Sequence, residues 1–279
     1  MGHQAIFNKV VERARAINGT SIAFTFEPHP LKVLAPERSL RLLNTFHGKM
    51  KLLEAAGVEM VICASFTRSF ADQNPEDFAR EVLYKTIGVK EVYVGYDYAF
   101  GKGREGSIES LRTMGKNFGF DVGVIEPVRV DGTVVSSSLL RDLVSGGRVE
   151  EASRLLGRDY SIEGEVVHGV HRGRTIGFPT ANLRTTNEVL PAYGVYAVRA
   201  AVGSSVIQGV ASIGIRPTFD AGPVSIEVYL LDFDGDLYGR QMDVQFVKRL
   251  RGEEKFPDGD SLVRQIRKDV EEAKQILAQ

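Results

Sequence analysis

The run Arg172-Gly173-Arg174-Thr175-Ile176-Gly177-Phe178-Pro179-Thr180-Ala181-Asn182-Leu183 is the segment best suited to chemistry. Glycines let a backbone approach a ligand closely, and backbone N–H groups with arginines suit phosphate oxygens. Pro179 forces Phe178 into an extended conformation, so Thr180-Ala181-Asn182 is expected to enter a strand. The strand period of two then turns Thr180 and Asn182 to one face as a pair of neutral oxygen ligands. Such a pair suits Mg²⁺ carried mainly by nucleotide phosphates, because that hard cation takes few ligands from protein. A plain Gly/Pro turn between strands would account for the Arg-Gly-Arg or the Gly-Phe-Pro alone. The whole run reads better as a phosphate loop.

The elements that must position this run fall into two groups. In the first half, helix and strand signals alternate. Apolar residues at Ile6, Val10, Ala14 and Ile17 mark a helix over Ala5 to Ile17, stopped by Asn18-Gly19. Strands are expected at Ser21 to Phe26, Met60 to Phe66, Glu91 to Gly95 and Asp121 to Ile125. Helices are expected at Thr45 to Ala56, Pro75 to Ile87, Ser107 to Phe118, Ser136 to Val144 and Val149 to Leu156. This alternation argues for an α/β fold, a Rossmann-like parallel sheet covered on both faces.

After Gly157 the pattern changes. Ile162 to His168, Val195 to Val202, Val206 to Ile213, Ile226 to Asp232 and Met242 to Val247 read as strands parted by Gly, Pro and Asp turns. They predict an antiparallel barrel or sandwich. A final amphipathic helix, Asp260 to Leu277, carries Leu262, Ile266, Val270, Ala273 and Leu277 as its apolar stripe, with Asp260 as its cap. The domain boundary is placed at Arg158, giving domains 1–157 and 158–279.

Composition narrows the function classes. A formal net charge of −1 over 279 residues supplies no bulk attraction for nucleic acid or an anionic membrane. No apolar stretch is long enough to span a bilayer and no signal peptide is evident, so neither partner is expected. The single cysteine, Cys63, excludes an internal disulfide framework and suits a reducing compartment, so a cytoplasmic location is expected. Its apolar neighbours Val61, Ile62 and Ala64 make it an expected inert core thiol. Oligomeric state is not readable.

Taken together the motifs resemble one family, the bifunctional bacterial riboflavin kinase/FAD synthetases. The resemblance runs through Thr25-Phe26-Glu27-Pro28-His29-Pro30, Val94-Gly95-Tyr96-Asp97-Tyr98-Ala99-Phe100-Gly101, and Val135-Ser136-Ser137-Ser138-Leu139-Leu140-Arg141. It continues through the opening run, Ile213-Gly214-Ile215-Arg216-Pro217-Thr218-Phe219, Glu227-Val228-Tyr229-Leu230-Leu231-Asp232-Phe233, and Leu250-Arg251-Gly252-Glu253-Glu254-Lys255-Phe256. What it implies is two ATP-dependent reactions. A C-terminal antiparallel barrel would phosphorylate riboflavin to FMN, and an N-terminal nucleotidyltransferase domain would adenylylate FMN to FAD.

The family pattern puts Mg²⁺-ATP at the opening run, with Gly173, Arg174 and Phe178 about the nucleotide and Thr180 and Asn182 at the metal. It makes Glu227 the base for the riboflavin hydroxyl. On residues alone Glu227 is ambiguous, because a polar residue on the solvent side of an alternating strand has the same signature. Arg251 and Phe256 fall in a loop that closes over the flavin. For the adenylyltransferase, the resemblance assigns His3, Asp97, Ser137, Ser138 and Arg141 to the nucleotide, and Phe26, Pro28, Pro30 and Phe100 to the flavin. Capping of a helix would equally explain the serines.

Two departures from the family are visible. Ser212 stands where asparagine is frequent, which is expected to tune the site. The family opens with a strand and Gly-x-Phe-Asp-Gly-x-His-x-Gly-His-Gln, of which this sequence holds Gly2-His3-Gln4. The first strand of such a sheet is central, so weak or absent FAD synthesis beside an intact kinase is expected. Two alternatives stay open: a kinase whose front domain is inactive, and a non-catalytic flavin or nucleotide binder. Retention of Thr180, Asn182 and Glu227 together argues against the binder, which needs no proton acceptor.

Overall fold

A computed structural model describes residues 1–169, 173, 176–215 and 224–278. The chain divides into two compact units, one of residues 1–40 and 49–135, the other of 41–48 and 136–279. This division by packing lies ahead of the boundary expected at Arg158. The helices Ser137–Ser145 and Val149–Leu156 fall in the barrel unit, and Val149, Ala152, Leu140 and Val144 are buried there.

The first unit opens on a helix, Gly2–Ala16, which begins three residues before the expected start at Ala5. Strand β1, Ile22–Glu27, runs parallel to β2, Met60–Ser65. Strand β3, Glu91–Gly95, runs parallel to β4, Asp121–Ile125. The expected parallel strands are thus present, but as two separate pairs rather than one continuous sheet. The Pro75 helix also differs in detail. A short α-turn, Pro75–Asp77, leads into a wider π-wound segment, Phe78–Ile87, closed by Gly88 in the left-handed region at φ 70°. Ile108–Phe118 carries the reciprocal cap of Ser107 with Ser110 and ends on left-handed Gly119.

The core of this unit is aromatic. Phe78, Ala79, Leu83, Val94, Phe100, Leu111 and Phe120 are buried together, with Phe24 and Phe70 packed on them. Arg13 on the first helix clasps Glu91 of β3 through Nε (3.0 Å) and Nη2 (2.6 Å), and the Tyr93 hydroxyl donates to the same carboxylate. These bonds, with the nearby charge, hold the Glu91 carboxyl down at about 2. Cys63 corrects the sequence reading: it is exposed. Its strand β2 pairs on one side only, and Cys63 and Ser65, alternate residues of that strand, are both exposed. A small hairpin, β5 Arg129–Val130 and β6 Thr133–Val134, went unread although Asp131-Gly132 is a strong turn signal. Both turn residues have positive φ, 50° and 79°.

The second unit is a closed six-stranded antiparallel barrel. Its strands are β7 Tyr160–Val167, β8 Thr180–Thr185, β9 Gly194–Val202, β10 Ser205–Ile215, β11 Val224–Leu230 and β12 Gln241–Arg251. Around the barrel they follow the order β10-β11-β8-β7-β12-β9. Alternate residues fill the lumen: Ile162, Val198, Ile213, Val228, Val244 and Phe246 are all fully buried. β12 is longer than its apolar run predicts, because bulges at Phe246/Lys248 and Arg249/Arg251 let it bend along β9. The last helix, Gly259–Leu277, is capped by Asp258 rather than Asp260 (Ser261 N to Oδ1, 2.7 Å). It buries Val270, Ala273 and Leu277 against Val195, Ala197, Val210 and Leu231 on the outside of the barrel.

The segment 41–48 belongs to the barrel unit by its bonds. Leu43 O accepts from the Tyr160 hydroxyl at 2.9 Å, Leu42 N donates to Glu188 at 2.7 Å, and the Thr45 hydroxyl donates to Glu163.

Candidate functional site

The barrel gathers the chemistry on the outer face of β8, β11 and β10. Residues directly opposed in antiparallel strands turn their side chains to the same side. Thr180 opposes Tyr229, which opposes Val210; in the next row Asn182 opposes Glu227, which opposes Ser212. Ile226, Val228 and Leu230 point the other way, into the lumen, and are buried. Glu227 is therefore excluded from the barrel interior by its own strand's alternation and stands between Asn182 and Ser212.

Short-range bonds orient the Glu227 carboxylate. The Thr180 hydroxyl donates to Oε2 at 3.1 Å and the Ser225 hydroxyl donates to Oε1 at 3.3 Å. Thr180 uses its proton on Glu227, which leaves its oxygen lone pairs free for a cation. Asn182 is buried, at 8% exposure. Its amide group packs directly on the α-carbon of Gly169, where any side chain would collide with it. Gly173 closes the loop ahead of the strand: its carbonyl accepts from Phe178 N at 2.8 Å, and it has no room for a β-carbon beside the Phe178 carbonyl. Phe178 packs edge-on against Tyr229, ring centroids 5.3 Å apart. Arg174 lies outside the described residues.

The structure thus brings Gly173, Phe178, Thr180, Asn182 and Glu227 together. The oxygens of Thr180, Asn182 and Glu227 on one face fit a hard divalent cation whose other ligands come from phosphate and water. No cluster of three or more His, Cys, Asp or Glu side chains suited to a metal occurs among the described residues. Gly169, Ser225 and Gly214 were not singled out from the sequence. Glycine beside a strand end and serine two residues before Glu227 were the available signals.

Arg251 and Phe256 meet one another instead of projecting separately. Arg251 Nε lies 3.0 and 3.1 Å from the two oxygens of Asp269, Nη2 donates to Asp269 at 2.9 Å, and Nη1 donates to the Gly252 carbonyl at 3.0 Å. Asp269 is 3% exposed and also accepts from Gln265. The Phe256 ring lies under the guanidinium, 5.6 Å from centroid to Cζ. All three Arg251 nitrogens are engaged, so this residue anchors the loop to the last helix.

The adenylyltransferase residues divide between the units. In the first, His3 stacks on Phe7 with centroids 6.3 Å apart. Packing around the ring holds its pKa below the ordinary histidine value, against the upward pull of Asp97. At neutral pH His3 is accordingly a neutral imidazole, able to donate a hydrogen bond. Phe26 packs on Phe24, Phe66 and Phe70 at 5.1 to 5.3 Å, and Phe100 on Phe78 and Tyr98 at 5.7 and 5.5 Å. Phe100 is buried and belongs to the aromatic core. Pro28 is exposed after a cis Glu27–Pro28 bond, and Pro30 starts the helix Pro30–Leu34, capped by His29 Nδ1.

In the second unit the cap of helix Ser137–Ser145 falls on Ser136, whose hydroxyl accepts from Leu139 N at 3.3 Å. Ser137 and Ser138 therefore occupy the first two helical positions with their hydroxyls not used as the cap. Arg141 donates through Nε to the Arg41 carbonyl at 2.6 Å, and partial burial lowers its pKa.

Comparison with known proteins decides the family. A family model described as FAD synthetase matches residues 1–139, and one described as riboflavin kinase matches residues 156–277. The chain belongs to the bifunctional riboflavin kinase/FMN adenylyltransferase family. Relatives of that name include the protein of Escherichia coli (strain K12), 38% identical over 96% of this chain and 86% of its own length. The Haemophilus influenzae relative is 38% identical over 98% of this chain and 89% of its own length. The Listeria monocytogenes relative is 34% identical over 100% of this chain and 89% of its own.

A solved structure described as a macrolide-efflux protein from Streptococcus pneumoniae has the same fold. It matches with a TM-score of 0.89 at 32% identity, covering 98% of this chain and 89% of that one. That description belongs to the other protein. Among the described residues here, no helix is long and apolar enough to cross a membrane.

Proposed function

We propose that this riboflavin kinase/FMN adenylyltransferase family member converts riboflavin to FMN on its barrel and FMN to FAD with its nucleotidyltransferase half, consuming ATP in each step. The reading rests chiefly on Thr180, Asn182 and Glu227 sharing one face of the barrel. In the first step the Glu227 carboxylate accepts the proton of the substrate's primary hydroxyl. The hydroxyl oxygen then bonds to the γ-phosphorus of ATP as the bond to the ADP oxygen breaks. Thr180 and Ser225 hold the carboxylate in place for that proton. Thr180 and Asn182 would hold Mg²⁺, which neutralises phosphate charge when bound. Gly173, Arg174 and Phe178 are assigned to the nucleotide by their place in the run.

In the second step a phosphate oxygen of FMN attacks the α-phosphorus of ATP and pyrophosphate leaves. His3, Asp97, Ser137, Ser138 and Arg141 are assigned to the nucleotide by their match to the family's motifs. Phe26, Pro28, Pro30 and Phe100 are assigned to the flavin side, with Phe100 acting from the core as backing for the wall. A cytoplasmic setting is part of this reading, supported by a single cysteine, which suits a reducing compartment.

The test is the product profile, by HPLC, from riboflavin, ATP and Mg²⁺. FMN followed by FAD is expected. Riboflavin left unconverted would overturn the kinase assignment, and FMN accumulating without FAD would overturn the second.

A further inference from the structure

A second carboxylate reaches the face that holds Glu227. Gly214 in β10 stands directly opposite Ser225 in β11, and Ser225 is the residue that donates to Glu227. Opposed residues face the same side, so Gly214 lies on the outer face one step along from the Ser212–Glu227 row. With no side chain of its own, it leaves that patch of backbone bare. The Glu253 carboxylate lies there instead, against the Gly214 α-carbon, where any side chain would collide with it.

Glu253 is held in place by its flanks. On one side Arg251 is clamped to Asp269 of the last helix; on the other, Phe256 packs under Arg251 and Asp258 caps that same helix. Yet Glu253 is exposed and, among the described residues, has no hydrogen-bond or ion-pair partner. A carboxylate carries only acceptors. Those acceptors lie on the same outer face of the barrel as Glu227.

The substrate of the kinase step carries donors that match such acceptors. Riboflavin carries a four-hydroxyl ribityl tail, of which only the terminal hydroxyl gives its proton to the base. Glu227 is committed to that terminal hydroxyl and is held for it by Thr180 and Ser225, so an acceptor further along the same face would serve the inner hydroxyls. We propose that Glu253 accepts hydrogen bonds from the secondary hydroxyls of the ribityl chain and so selects the polyol-bearing flavin, with Gly214 as the residue whose smallness admits it. This rests on the riboflavin kinase reading.

The experiment is steady-state kinetics of the full chain and its Glu253→Ala variant. Substrates are riboflavin and the analogues that lack the 2′-, 3′- or 4′-hydroxyl in turn. Loss of a hydrogen bond to a charged acceptor is expected to raise KM for riboflavin about tenfold. KM for ATP should stay unchanged, and the variant penalty should vanish on at least one deoxy analogue, because that hydroxyl is its partner. The vanishing penalty is the readout that a merely structural role for Glu253 would not produce. An equal penalty on every analogue, or a riboflavin KM within about twofold of wild type, would overturn the proposal. Wild-type protein that makes no FMN at all would overturn the kinase reading itself, an outcome distinct from both.

Discussion

The two units solve the same problem, holding strands together, in different ways. In the barrel each of the six strands has a neighbour on both sides, so no ladder edge is left over. In the first unit the parallel strands form two pairs, and each of β1, β2, β3 and β4 has a single partner. What completes the barrel is backbone hydrogen bonding. What completes the first unit is side-chain packing, through an aromatic cluster and the Arg13–Glu91 clasp. The difference also shows in the sites. The proposed kinase residues lie in adjacent rows of a closed ladder, whereas the aromatic residues proposed for the other flavin are engaged in holding their unit together.

The most severe test of this contrast is Glu227→Gln. Removing a general base costs roughly 10² to 10⁴ in rate, so FMN formation should fall by that order while conversion of added FMN to FAD is unchanged. A parallel fall in FAD formation would show that the two units do not act separately. Next in size is Asp269→Asn, which leaves the Arg251 guanidinium without its buried counter-charge. Breaking a buried pair costs about 3 kcal/mol or more, and urea unfolding followed through barrel amides should show that loss. If the barrel's midpoint stays put, the closed ladder alone is sufficient and the helix clamp is dispensable.

The smallest effect belongs to the first unit. Because the Glu91 carboxyl is held at about 2, below its ordinary 4.5, its contribution is fully present above pH 4.5 and is lost as pH falls toward 2. Thermal unfolding of wild type and Glu91→Gln should therefore differ at neutral pH and converge as the pH approaches 2. A gap that persists at low pH would place the clasp's value in packing rather than charge.

Much of this was legible in the letters, and the reason is locality. Helix and strand periods, the stop at Gly19 and the entry of Thr180 into a strand all depend on neighbours a few residues away. What was misread depends on distant ones. Cys63 has apolar neighbours in sequence but lies on a strand paired on one side, so burial could not be inferred from its run. Asp260 and Asp258 are equally good caps by type, and only the backbone geometry selects Asp258.

By itself, then, the sequence determined that Glu227 alternates out of its strand's buried face and that Thr180 and Asn182 share a side, because period-two alternation is a property of the strand alone. It also carried the family motifs in both halves. Only the tertiary structure decided that Asn182 and Glu227, far apart in the chain, face each other across one ladder, and that Glu253 lies over Gly214 beside them. Register between strands and the landing place of a loop depend on which backbones pair, and barrel closure settles that pairing for all six strands at once.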